Sequence, residues 1–78
     1  MFKEGDALVV WTLYHNPTDY PGQFVLRRAL VRKNELIRDR EPTCVSPQLS
    51  DILAALPAES FFIPRHPNDA PAIVGTWV

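Results

Sequence analysis

This chain has little of what usually announces a function. It holds one cysteine, Cys44, so no disulfide can close within it, and a zinc site built on several thiolates is excluded. Two histidines, His15 and His66, give little imidazole for metal or acid/base chemistry. Only three glycines occur, and they form no Gly-rich phosphate loop; a serine elbow and paired metal motifs are missing as well. No apolar run approaches the ~18 residues needed to span a bilayer, so no membrane partner is expected. Charge of one sign is also lacking: a formal net charge of −1 leaves no global field to recruit nucleic acid or an anionic membrane. Acids stand in Met1-Phe2-Lys3-Glu4-Gly5-Asp6 where a signal peptide would be basic, which with the lone thiol makes a cytoplasmic location the expectation.

What the chain has in quantity is proline, 8 in 78 residues, and it is placed at turns. Pro17 and Pro21 fix their own φ, remove backbone donors and push Asn16 and Tyr20 toward extended geometry, so no helix passes through 14–24. Thr18 and Asp19 can bond back to nearby amides, and Gly22 permits a positive φ. On either side lie Ala7–Tyr14 and Phe24–Val31, rich in aliphatic, aromatic and β-branched residues at strand length, which predicts a long-looped hairpin. The spacing Pro-x-Asp-x-Pro recurs at Pro67-Asn68-Asp69-Ala70-Pro71 between the apolar runs 60–63 and 72–78, predicting a second hairpin.

The run Pro17-Thr18-Asp19-Tyr20-Pro21-Gly22-Gln23-Phe24-Val25-Leu26-Arg27 resembles a family of short uncharacterised bacterial proteins with a Pro-x-Asp-Tyr-Pro-x-x-Phe-Val-x-Arg signature. That resemblance implies one compact domain and carries no activity.

The strand 7–14 is apolar at both alternating sets, Ala7, Val9, Trp11, Leu13 and Leu8, Val10, Tyr14, which predicts a central strand covered on both faces. In the next strand Arg28 interrupts the face of Phe24, Leu26 and Leu30, so either a bulge re-aims Arg27 and Arg28 or the Arg28 head reaches water past the core. Asn34 predicts a tight turn, with 35–38 pairing back as a short polar strand and 43–45 resuming the pairing. Ser46 followed by Pro47 reads as a helix start, and Leu49, Ile52, Leu53 and Leu56 fall at helical spacing before Pro57 ends the run. All four leucine and isoleucine positions are expected to be buried on a sheet. Trp11, Trp77, Phe24, Phe61 and Phe62 are expected in the core, and the apolar final strand is a candidate edge for pairing with a second chain. The expected fold is α+β over residues 1–78, a single domain: an antiparallel sheet of four or five strands with one short helix on one face, in the order β-β-(β)-α-β-β.

Three functions compete on these features. The first is a non-enzymatic protein-interaction module, self-association included, presenting its proline loops or basic sheet face through His15, Asp19, Tyr20, Arg27, Arg28, Arg32, His66 and Asp69. In the second, the basic stripe 27–40, six of the eight cations, binds nucleic acid. The third and least favoured is a small metal-dependent hydrolase on His15, Asp19, His66 and Asp69, or a Cys44 nucleophile with a histidine base. Aspartate beside proline in a loop is more often a turn former than a ligand, and a lone cysteine is more often a small buried hydrophobe. No catalytic residue, cofactor or tightly bound metal is expected.

Overall fold

The computed structural model describes residues 2–78, so Met1 lies outside the described residues. Seven strands and one helix follow in the order β1 (Phe2–Glu4), β2 (Ala7–His15), β3 (Phe24–Arg32), β4 (Glu35–Arg38), β5 (Cys44–Ser46), α1 (Leu49–Ala55), β6 (Phe62–Pro64) and β7 (Ile73–Trp77). All join one antiparallel sheet, ordered β4-β3-β2-β7-β6, with β1 on β2 and β5 on β3. The α+β class and the single helix match the expectation, but the sheet is larger than the expected four or five strands. The strand without a sequence signal is β1. Gly5, at φ 63, supplies the left-handed residue of a turn that folds Phe2–Glu4 back onto β2.

Both proline loops close hairpins, β2 with β3 and β6 with β7. The first loop is tied across its base by Asn16, which takes a left-handed φ of 54 and not the extended geometry expected before Pro17; its amide donates to the Gln23 carbonyl at 2.8 Å while its side-chain oxygen accepts from the Gly22 amide at 2.7 Å. Asn34 likewise takes a left-handed φ of 59 in the turn between β3 and β4, a conformation asparagine tolerates better than most residues.

Strand alternation sorts the sheet into two faces. On the first lie Val9, Trp11 and Leu13 of β2 opposite Leu30, Arg28 and Leu26 of β3. Val9, Trp11, Leu13, Leu26 and Ile52 form the core cluster, with Phe2, Phe24, Leu30, Cys44, Leu56 and Trp77 packed around it. The helix therefore sits on this face, over β3 and β5. Phe2 meets Trp11 edge-on at 5.3 Å, so β1 closes the core at its far end.

Several expectations are corrected. The helix does not bury its whole leucine stripe: Ile52 is fully buried and Leu56 half-buried, but Leu49 and Leu53 are exposed. Seven residues over two strands can present only one narrow line of side chains inward. Its start also lies later than expected, because Ser46 is a buried strand residue and Gln48 occupies the cap position. The Ser46 hydroxyl donates to Asp51 Oδ2 at 2.6 Å and accepts the Gln48 amide at 3.1 Å, organising the first turn from two residues upstream. Of the aromatics, Trp11 is buried and Phe24 and Trp77 pack on the core, whereas Phe61 and Phe62 are exposed because β6 lies at the sheet edge, beyond the reach of α1. The final strand β7 is not an edge; it lies between β2 and β6, with Phe61 and Val78 exchanging both backbone hydrogen bonds at 2.8 and 2.9 Å.

Candidate interaction surface

The other face of the sheet carries no helix. Register assigns to it a row of Lys3, Leu8, Val31 and Leu36 running across β1, β2, β3 and β4. Beside that row lie Val10, Ala29 and Arg38, then Ile63, Thr76, Thr12 and Arg27. Leu8 and Val10 are half-buried, and Val31, Leu36 and Ile63 are 39%, 53% and 48% exposed. The expectation that β2 is covered on both faces is thus corrected: it is central by pairing, yet only one face is packed. The apolar side chains on its second face have strands beside them and nothing above. Among the larger apolar residues of this face Val25 is the exception, fully buried at the loop end, where Asp19 of the proline loop comes down to pair with Arg27 at 2.9 Å.

Charges divide by face. Pairing puts Glu4 and Glu35 on the packed side, opposite Ala7 and Arg32, and Asp39 bonds there to Arg28. Arg28 resolves its two sequence readings: β2 and β3 pair without a register shift, so no bulge exists there, and its guanidinium leaves the core to bridge Asp39 at 2.9 Å and Glu4 at 3.1 Å. Those hydrogen bonds, to Asp39 first and then Glu4, raise its pKa further above the ordinary arginine value. The one register shift along β2 lies against β7, between Leu13 and Tyr14, leaving Val74 as the extra, exposed residue. On the bare face the strand cations are Lys3, Arg27 and Arg38. Arg27 is neutralised by Asp19, while Lys3 and Arg38 make no ion pair among the described residues.

The basic stripe 27–40 consequently does not form one groove. Alternation sends Arg28 and Arg32 to one face and Arg27 and Arg38 to the other, and Arg27, Arg28 and Arg32 each hold a carboxylate.

The two proline loops do lie at one end of the sheet, where the His15 amide donates to the Ala72 carbonyl at 2.8 Å. Their side chains nevertheless turn to separate tasks. His15 stacks on Phe24 at 4.3 Å. Tyr20 is half-buried within its loop, its amide donating to the Pro17 carbonyl at 3.1 Å. Asp69 accepts from the His66 amide at 2.8 Å, His66 Nδ1 accepts from the Asn68 amide at 3.1 Å, and Arg65 donates to the Asp69 carbonyl at 2.9 Å. Turn formation accounts for these residues. Among the described residues no three His, Cys, Asp or Glu side chains come together as a metal site would require, and no pocket is enclosed. Cys44 is half-buried under the helix, its Sγ 4.0 Å from the Asp51 carbonyl oxygen.

Fold and surface together define a small α+β protein with a single antiparallel sheet, one face packed and one bare. The chain matches no family model, no curated protein and no solved structure. No helix among the described residues is long and apolar enough to cross a membrane. Sequence reasoning does not single out Leu8, Val10, Val31, Leu36 and Lys3 as surface residues. The signal was present in the single amphipathic helix, which can cover only one side of a sheet whose strands are apolar on both.

Proposed function

We propose that this protein is a non-enzymatic interaction module that docks a protein partner on the bare face of its sheet. The observation that carries this reading is the contiguous apolar row Leu8, Val31 and Leu36, with Val10 beside it, in which Val31 and Leu36 are exposed and Leu8 and Val10 half-buried with no element packed over them. Exposed apolar patches rimmed by polar groups mark association surfaces, since water is released from them on docking. Lys3 and Arg38 at the two sides of the patch supply orientation and selectivity more than affinity.

A photo-crosslinking residue in place of Val10 tests this reading in cells. It is expected to form a discrete protein adduct that the same residue in place of Asn68, exposed in the second proline loop, does not form. Equal labelling from both positions, or none from position 10, would overturn it.

The nucleic-acid alternative has less support, because the arginines are divided between faces and half of the stripe is already paired to carboxylates. No binding to labelled single-stranded or duplex oligonucleotides is expected at physiological salt. Micromolar binding, weakened by salt and by Arg27→Ala with Arg28→Ala, would favour that alternative instead.

A further inference from the structure

We propose that two copies of this chain join edge to edge through β4, antiparallel about a two-fold axis through Ile37, so that one sheet runs across the pair. The inference goes beyond the docking reading and does not rest on it. β4 is the last strand at its side of the sheet, and every residue of it is exposed.

The phase of the hydrogen bonds decides what that edge offers. The Asp39 amide donates to the Arg28 carbonyl at 3.0 Å, so by antiparallel alternation Ile37 and Glu35 turn their backbone groups inward to Leu30 and Arg32, while Leu36 and Arg38 turn theirs outward. Each of these two residues presents a donor and an acceptor. The opposite edge offers less: Phe61 and Val78 exchange both bonds, so the outward positions of β6 are Phe62 and Pro64, and Pro64 has no amide to give. β4 carries no proline.

The side chains of β4 favour the same contact. Leu36 is 53% exposed on the bare face and Ile37 is 39% exposed on the packed face, so one strand leaves apolar surface open on both sides. A molecule docked on either face would cover one of them; a strand laid alongside reaches both.

The edge is complementary to itself. With the axis through Ile37, Leu36 of each copy stands opposite Arg38 of the other, and every outward amide and carbonyl of both residues finds a partner. Ile37 meets its own counterpart at the centre, where side chains approach closely, and the aliphatic stem of Arg38 lies along Leu36. Glu35 falls opposite Asp39, but each already holds an arginine of its own chain, Arg32 at 3.7 Å and Arg28 at 2.9 Å. An axis through Leu36 would instead leave the outward groups of Arg38 facing Asn34, a turn residue at φ 59. The contact is isologous and closes at the dimer, with both helices on one side of the joined sheet and both bare faces on the other.

Sedimentation equilibrium of the full chain up to ~1 mM is expected to follow a monomer–dimer equilibrium with no larger species, at a dissociation constant of about 0.1–1 mM for so small a contact. Arg38→Pro removes an outward donor and no bond to β3, so it is expected to fold and to weaken association by about tenfold or more; Arg38→Thr keeps the donor and is expected to change it by less than about threefold. The axis is tested with cysteines in a Cys44→Ala background, where no other thiol competes. Ile37→Cys is expected to give a covalent dimer in oxidised glutathione, because the two Cα atoms at the axis stand ~4.5 Å apart. Leu36→Cys is not, since its two copies lie more than ~8 Å apart, beyond the reach of a disulfide.

A chain monomeric at ~1 mM, species larger than a dimer, equal losses from Arg38→Thr and Arg38→Pro, or faster crosslinking from position 36 than from position 37 would overturn the arrangement. Should Arg38→Pro fail to fold, the cysteine pair still decides. The crosslink at position 10 reads the bare face alone, so the docking reading and this one fail separately.

Discussion

Ile52→Ala is expected to destabilise the protein by about 2–5 kcal/mol, the range for emptying a fully buried isoleucine site that cannot collapse. Ile52 is the only helix residue fully removed from water, and it belongs to the core cluster with Val9, Trp11, Leu13 and Leu26. For a domain of this size each kcal/mol shifts the thermal midpoint by roughly 4–8 °C, so the effect is large in any melting curve. Leu53→Ala, at a position half exposed, is expected to cost less than about 1 kcal/mol. Urea denaturation of the two variants checks both figures. Equal losses would mean that the helix is rotated from its observed orientation.

Gly75→Ala is the second change with a large expected effect, about 1–3 kcal/mol. Gly75 is buried on β7 opposite Leu13, and the Phe62 ring of β6 lies across it, 4.7 Å from the Trp77 ring. A Cβ there would overlap Cε1 and Cζ of Phe62 and stand 3.1 Å from the Ile63 carbonyl oxygen. The ring can swing aside because Phe62 is half exposed, but the Ile63 carbonyl belongs to the β6 backbone and cannot yield without loosening the β6–β7 ladder. Faster amide exchange at Phe61 and Val78, which bond each other, is therefore expected along with the lower stability. Adding Phe62→Ala is expected to return part of the loss, since it removes one of the two clashes. A Gly75→Ala protein with unaltered stability and exchange would show that the ring does not pack on this glycine.

Local rules made much of the chain readable. Pro17, Pro21, Pro67 and Pro71 forbid helix where they stand, and the β-branched and aromatic runs beside them pair as hairpins because adjacent apolar segments joined by a turn have no nearer partner. The helix was legible from Leu49 to Leu56, yet its burial was not, since a four-residue stripe gives a direction and not the width of the surface waiting for it. The turn role of Asp69 was legible for the same reason as the prolines: its carboxylate reaches only three residues back, to the His66 amide.

The amino-acid sequence by itself determined the turns, the strand-forming runs, the single helix and the balance of charge, all set by interactions within a few residues. Only the tertiary structure decided which strands neighbour which, that Phe2–Glu4 folds back to close the core, that Arg28 holds Glu4 and Asp39, and which face of the sheet remains bare. The physical reason lies in pairing and coverage. A strand's alternation states that it has two faces, and when both are apolar nothing local says which one the helix will cover. That choice depends on the packing of Ile52 against Leu13 and Leu26, residues 26 or more positions away in the chain. The same choice leaves Leu8, Val31 and Leu36 aligned on the uncovered side, with Lys3 and Arg38 beside them.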